Sequence, residues 1–579
     1  MILQALTQYY EDLLARGEID APGWAPAKIS YALCLDEDGQ LTQVLPTKED
    51  VKKGKKTVLQ PLVFPLPAAE KRTVGIVSNF LWDNSSYLLG VDQKGKPARS
   101  RECFSAAAAR HHAVLDGVDS PAARAILRFF DSWQPENAAQ CPALEGKLEE
   151  VTSGGNLLFR VDGCYAQEDA AIREAWQRRQ SDRDTDAVEM QCLVTGREDE
   201  IAKVHPAIKG VRDAQSSGAA LVSFNAPAFC SYGHEQNYNA PVGKYAAFAY
   251  TAALNHLLAD KNQVQQIGDT TVVCWAEGAD PVCQSLAVAA IFGGEAPGGL
   301  TDNALRTTLR RLAHGEPCDE LAVDPNRTFY ILGLAPNAAR LSVRFFLRDS
   351  FGALMRNVND HYERLEIVGG RYEMLPLWAL LRETVNLNSR DKMPSPAMAG
   401  ATARAVFSGG RYPASLLEGV MLRIRAERNI TWGRAAILKA YYLKNPHEDC
   451  PKEVLTVSLN EESTNPAYTL GRLFRVMEEI QLASTGWNVN RSIKDSYFNS
   501  AASTPLSVFG KLFALSNYHL KKLMRDKPGL GKKLGDLESE LAAQLTSPPS
   551  ARSTQEEVVC FYLGYYHQCN HKKEEEKNV

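Results

Sequence analysis

The chain has 579 residues, enough for about three or four domains at ~150 residues each. Hydrophobic residues make up 45% and charged residues 23%, the balance of a folded globular chain and not of a disordered or fibrous one. A formal net charge of -4 excludes a global basic excess, so any grip on nucleic acid has to use local patches.

The opening MILQALTQYYEDLLARGEID has early acidic residues and no long apolar run, and reads as an amphipathic helix, not a signal peptide. No stretch reaches the ~18 uninterrupted apolar residues of a membrane span, so no membrane partner is expected. Twelve cysteines lie between Cys34 and Cys569 without a C-x-x-C pair, which argues against a zinc or redox motif and fits a reducing cytoplasm.

YALCL at 31–35 and LTQVL at 41–45 flank the turn-rich Asp36, Glu37, Asp38 and Gly39, predicting a hairpin. Lys52, Lys53, Lys55 and Lys56 then surround Gly54. They are either a solvated loop between strands or a finger that follows phosphates without fixed geometry. TVGIVSNFLWDNSSYLLG at 73–90 sets a polar turn, Asp83 to Ser86, among apolar residues. Helices are expected at 104–115, 121–133 and 170–179, and strands at 156–161, 190–195, 271–275 and 329–334. This alternation predicts a mixed α/β region, and no 20 to 50 residue period marks a solenoid.

From about Val457 the patterning becomes helical. Leu470, Leu473, Phe474, Met477 and Ile480 mark one helical face, Leu506, Phe509, Leu512 and Phe513 a second, and Leu530, Leu534, Leu537, Leu541 and Leu545 a third. Val558 to Tyr566 supplies a fourth, after the break at Pro548 and Pro549. The expected fold class is therefore α+β: a large mixed α/β region at 1–455 and a C-terminal four-helix bundle at 456–579.

Catalytic signatures are missing. Pro528-Gly529-Leu530-Gly531-Lys532-Lys533 lacks the early glycine and the hydroxyl residue of a phosphate-binding loop, and neither G-x-S-x-G nor H-E-x-x-H occurs. The adjacent pair His111-His112 is not expected to hold a metal. No catalytic residue, metal or cofactor is expected.

Two segments fit nucleic acid. SFNAPAFCSYGHEQNYNAPVGKYAAFAY at 223–250 gathers Asn225, Ser231, Tyr232, Gln236, Asn237, Tyr238 and Asn239 between a strand-like 219–224 and a helix starting near Val242. Amides there can read base edges and tyrosine can stack on an unpaired base, or the loop can satisfy its own backbone. Residues 491–533 carry nine basic residues, Arg491, Lys494, Lys511, Lys521, Lys522, Arg525, Lys527, Lys532 and Lys533, against Asp495 and Asp526. That stretch is either a groove along a strand's phosphates or a solvated helical face.

NFLWDNSSYLLG at 79–90, SFNAPAFCSYGHEQNYNAPVG at 223–243, GLAPNAARLSVRFF at 333–346 and NPAYTLGRLFRVME at 465–478, in that order, resemble the large-subunit family of type I-C CRISPR interference (Cascade) complexes. The resemblance implies a non-catalytic subunit of a CRISPR RNA-guided complex that recognises a motif in duplex DNA, promotes strand opening, stabilises the R-loop and supports recruitment of a helicase-nuclease. Its implied partners are CRISPR RNA, double-stranded target DNA with its displaced single strand, the backbone and 5'-end guide-binding subunits, and a small helical subunit. The same family makes its C-terminal helical part separately from an internal start, which maps near Val457.

On this reading Asn79, Asn84, Asn225, Gln236 and Asn237 recognise the motif. Lys52, Lys53, Lys55 and Lys56 hold duplex phosphates, and Lys521, Lys522 and Arg525 hold an opened strand. Arg340 and Arg344 face the guide or a neighbouring subunit, or pair with carboxylates of this chain. The rival readings are a metal-dependent nuclease with dispersed acidic residues and a scaffold that binds only protein.

Overall fold

A computed structural model describes the chain apart from residues 54–55, 71–74, 94–95, 182–187, 317, 319–320, 371–373, 391, 487–489 and 576–579, and apart from the side chains of 51–58, 180–181 and 572–575. Contacts divide it into two compact units, Leu3–His205 with Phe224–Ala252, and Pro206–Ser223 with Ala253–Val579.

In the first unit, alternate residues Tyr31, Leu33 and Leu35 of the strand Tyr31–Leu35 enter one apolar cluster. The strand turns back into Leu41–Pro46 through a turn in which Asp36 Oδ1 accepts the Gln40 N–H at 2.8 Å. On its other side it pairs in parallel with Asn156–Val161. That partner is buried on both faces, Leu157 and Phe159 in one cluster and Leu158 in another, so NLLFRV reads as an apolar run without alternation. Trp82–Asn84 and Cys164–Tyr165 complete the sheet. The helices Pro97–Leu115, Pro121–Ser132 and Ala170–Ser181 pack onto it around Phe159, which meets Phe129 and Phe130 edge to face, both with ring centroids 5.6 Å away. A second, antiparallel sheet has Lys56–Pro67 between Trp24–Ile29 and Lys48–Lys53.

The second unit is built on an antiparallel sheet in the order Gln265–Ile267, Thr270–Ala276, Thr328–Asn337, Arg340–Ser350. Thr270–Ala276 is buried throughout, the condition under which TTVVCWA can be apolar at every second and third residue alike. After Ser350 the described residues form helices and no further strand. One apolar cluster runs from Ile267 to Tyr566, so the C-terminal helices share a core with the helices that precede residue 456.

The four tail patterns lie in Pro466–Ser484, Pro505–Asp526, Pro528–Ala543 and Gln555–Glu575. An additional helix, Ile493–Ser503, starts at a reciprocal cap between Ser492 and Asp495 and buries only Ile493, Phe498, Ala501 and Ala502. Two expected strands are shorter than predicted. Of 190–195, only Met190 and Gln191 pair, within the strand Glu189–Gln191; the chain then turns so that Cys192 Sγ accepts the N–H groups of Val194 (3.4 Å) and Gly243 (3.2 Å). Of 219–224, only Ala219 and Ala220 form isolated bridges, to Ile208 and Arg340. In both cases local apolar character is used for anchoring a turn, not for a ladder.

Candidate nucleic-acid interface

The turn at 79–86 is wired from within. Asn79 Oδ1 accepts the Glu70 N–H (3.0 Å) and the Asn79 N–H donates to Asp83 Oδ2 (3.0 Å). Asp83 Oδ1 accepts from the Asn84 N–H (2.8 Å), and Asn84 Oδ1 caps the short helix Ser85–Leu88 by accepting from Ser86 (3.0 Å). Leu81 has a positive φ of 66°. Its N–H donates to His111 Nε2 (2.9 Å), while His111 Nδ1 donates to Ala107 O (2.7 Å). Burial holds His111 down to about 4, so the ring is neutral and keeps the accepting nitrogen that this turn requires. Asn79, expected to read base edges, is 4% exposed and is instead a brace of the turn. Asn84 is half-buried with its carbonyl committed to the cap.

The loop at 225–239 is likewise self-supporting, but it reaches outward. Asn239 Oδ1 accepts the Ser231 N–H (2.7 Å), and its Nδ2 donates to His234 O (3.1 Å) and Gln236 O (2.8 Å). Three positive φ values, at Tyr232 (52°), Gly233 (75°) and Gln236 (46°), shape the tip. Tyr232 is 98% exposed, and Gln236 and Asn225 are also exposed. Asn237, another expected reader, is buried, and its Oδ1 has no hydrogen-bond partner among the described residues. Composition did not separate Tyr232 and Asn239 from their neighbours; the signal was the glycine after the tyrosine, which marks a turn tip.

The lysine cluster lies in a hairpin, where Lys53 pairs with Lys56 and Lys52 with Thr57. Lys52, Lys53 and Lys56 therefore lie on paired strands and not in a loop, and Lys55, with Gly54, lies outside the described residues.

In the second unit, Lys511, Ala514, Tyr518, Lys521 and Arg525 follow one another at three- and four-residue spacing on Pro505–Asp526, with Lys522 four residues after Tyr518, and all are exposed. Tyr518 is 70% exposed in the middle of this basic face. Arg525 is partly compensated by Asp526 at 2.9 Å, whereas Lys521 and Lys522 make no ion pair among the described residues. Lys532 and Lys533 are exposed on the next helix, Pro528–Ala543. Lys494 leaves the stripe: its ammonium lies 4.9 Å from the Tyr565 ring centroid.

Arg344 pairs with Asp269 at 2.7 Å, which is the intramolecular carboxylate alternative. Arg340 opens the strand Arg340–Ser350 opposite Asn337. Among the described residues one trio, His447, Asp449 and Glu556, brings three ligand-type atoms within 4.8 Å of one another; Tyr442 donates to Glu556 there at 3.0 Å. No described helix is long and apolar enough to cross a membrane.

The first unit thus carries a self-bonded loop with an exposed ring and amide and a lysine-bearing hairpin, and the second unit, by itself, a basic helical face carrying a tyrosine. Exposed rings, amides and ammonium groups are the side chains through which proteins in general contact bases and phosphates. No curated protein matches the chain. Residues 6–572 match the family described as CRISPR-associated protein (Cas_Csd1), so the chain belongs to that family, the Csd1-type large subunits of the type I-C CRISPR Cascade complex.

Proposed function

We propose that this subunit recognises a short motif in duplex DNA beside a guide-matched target, promotes opening of the strands and stabilises the R-loop. The carrying observation is the loop that Asn239 pins from inside and that presents Tyr232 and Gln236 to solvent. A ring on a stiff loop is suited to enter a base step, and an adjacent amide can donate and accept at a base edge. Asn84 and Asn225 are further readers, whereas Asn79 and Asn237 act through the shape of the turns that bury them. Lys52, Lys53, Lys55 and Lys56 follow duplex phosphates, and Lys521, Lys522 and Arg525 follow the opened strand. Residues 456–579 do the work of a small subunit within this chain. The complex with CRISPR RNA operates in the cytoplasm and recruits a separate helicase-nuclease, this subunit itself being no nuclease.

The test is binding of the assembled guide complex to targets with randomised flanks. Gln236→Ala is expected to cost ~1 to 3 kcal/mol and relax preference at one base pair, and Asn239→Ala, which frees the loop, to weaken discrimination at every flank position. Lys521→Gln with Lys522→Gln should leave flank preference intact and shallow the log-log salt dependence by up to about one unit per lost contact. Undiminished flank discrimination with the loop variants, or DNA cleavage by the purified subunit with Mg²⁺, would overturn the reading.

A further inference from the structure

A cleft of about 690 Å³ opens in the second unit, walled by the helices Leu377–Arg382, Trp432–Lys444, Ile493–Ser503 and Gln555–Glu575. Its volume is in the range of small-ligand sites. The acids in its wall are already satisfied. Arg434, almost fully buried, pairs with Glu427 at 2.6 Å and Glu383 at 3.5 Å, and Thr431 Oγ1 donates to Glu383 at 2.6 Å. Arg382 and Lys494, in contrast, make no ion pair among the described residues, so the charge that the described wall leaves uncompensated is positive. Lys494 is held in place over the Tyr565 ring.

The cleft also holds flat apolar surface. Trp378 is 52% exposed there, a costly exposure for an indole. Trp432 is fixed by donation of its Nε1–H to Ile367 O at 3.2 Å. Asn570 donates through Nδ2 to Tyr566 O (2.9 Å), which leaves Oδ1 as an acceptor in the wall. A ligand matching this set needs a flat ring with polar edges and an attached anion.

We infer that this cleft takes one unpaired nucleotide of a single strand, its base against Trp378 and its phosphate between Arg382 and Lys494. The inference rests on the strand-holding part of the proposed function and adds a pocket for one base to the basic helical face. Base stacking on an aromatic ring tolerates every sequence, which suits a subunit that meets strands of any sequence.

The test uses the full chain and adenosine 5'-monophosphate, followed by saturation-transfer NMR at the base protons. Transfer is expected with the intact chain. Trp378→Ala, with its fold checked by circular dichroism, should weaken binding at least about fivefold. Adenosine without phosphate should bind less tightly than the monophosphate, and Arg382→Gln with Lys494→Gln should erase that difference. The deoxy monophosphate as a parallel probe separates a DNA strand from an RNA strand through the 2'-hydroxyl. No transfer, or transfer indifferent to Trp378→Ala, refutes the pocket. So does a Trp378→Ala variant that binds the nucleotide normally but fails to join the complex, which assigns the cleft to a protein partner. The assay contains no duplex and no flank, so its failure leaves motif recognition standing and is distinguishable from a failure of that reading.

Discussion

Gly564→Ala is expected to destabilise the C-terminal helices by about 3 kcal/mol or more. Helices Pro466–Ser484 and Gln555–Glu575 cross with almost no space between backbones. A Cβ on Gly564 would lie 2.1 Å from Tyr468 O, and one on Gly471 would lie 2.0 Å from Phe561 O. Neither obstacle is a side chain that can swing away, so the helices have to separate. Separation opens the contacts among Phe474, Phe498, Phe561 and Tyr565, whose ring centroids lie 5.3 to 6.1 Å apart, and it stretches the bonds Tyr468–His567 (2.8 Å) and Tyr565–Glu478 (2.7 Å). Urea denaturation followed by helical circular dichroism measures the loss. Gly510→Ala is the control: nothing lies within 4 Å of its added Cβ, and the helical preference of alanine should make it neutral or stabilising by up to ~1 kcal/mol. Equal stability of the Gly564 and Gly510 variants would show that the crossing is looser than described.

Acidification from pH 7 to 5 is expected to cost about 2 kcal/mol for each of four buried histidines. Desolvation holds His111 and His205 down to about 4, and His361 and His567 down to about 3. The unfolded chain titrates these groups near 6.5 and therefore binds more protons between that pH and the folded-state values. Their contribution is complete above pH 6.5 and shrinks as pH falls, by ~1.4 kcal/mol per unit for each group. His205 shows why the ring resists a proton: Nδ1 engages Tyr250 Oη at 2.7 Å, and the buried Nε2 has no partner among the described residues. Stabilities from urea titrations at pH 7, 6 and 5 measure the slope. His205→Asn should flatten it by ~1.4 kcal/mol per unit, and an unchanged slope in that variant would count against a neutral buried ring.

The hairpin at 31–46, the strand 156–161 and the tail helices were readable because each has a local cause, an apolar period or a turn residue at the right offset. Ile493–Ser503 was missed because alanines and polar residues carry most of it. The shift to helices was read near residue 456 but begins after Ser350, since the helices between them, such as Trp432–Lys444, are buried on most sides and lose the polar face that would reveal a 3.6-residue period.

Of the five expected motif readers, sequence supplied amides at turns but not their direction. Asn79 and Asn237 turn inward while Gln236 and Asn225 face solvent, because a turn can spend an amide on its own backbone as readily as present it. Arg344 found Asp269, 75 residues away, a pairing no local pattern contains.

By itself the sequence determined the family, the α+β class and most elements, since four long irregular motifs in order and regular apolar spacing are properties of the chain alone. Tertiary structure decided which polar groups are braces and which are surface, where two helices touch through glycine, and which cations make no ion pair among the described residues. Those outcomes depend on residues far apart in the chain arriving at one place, where burial sets the cost of every unpaired group.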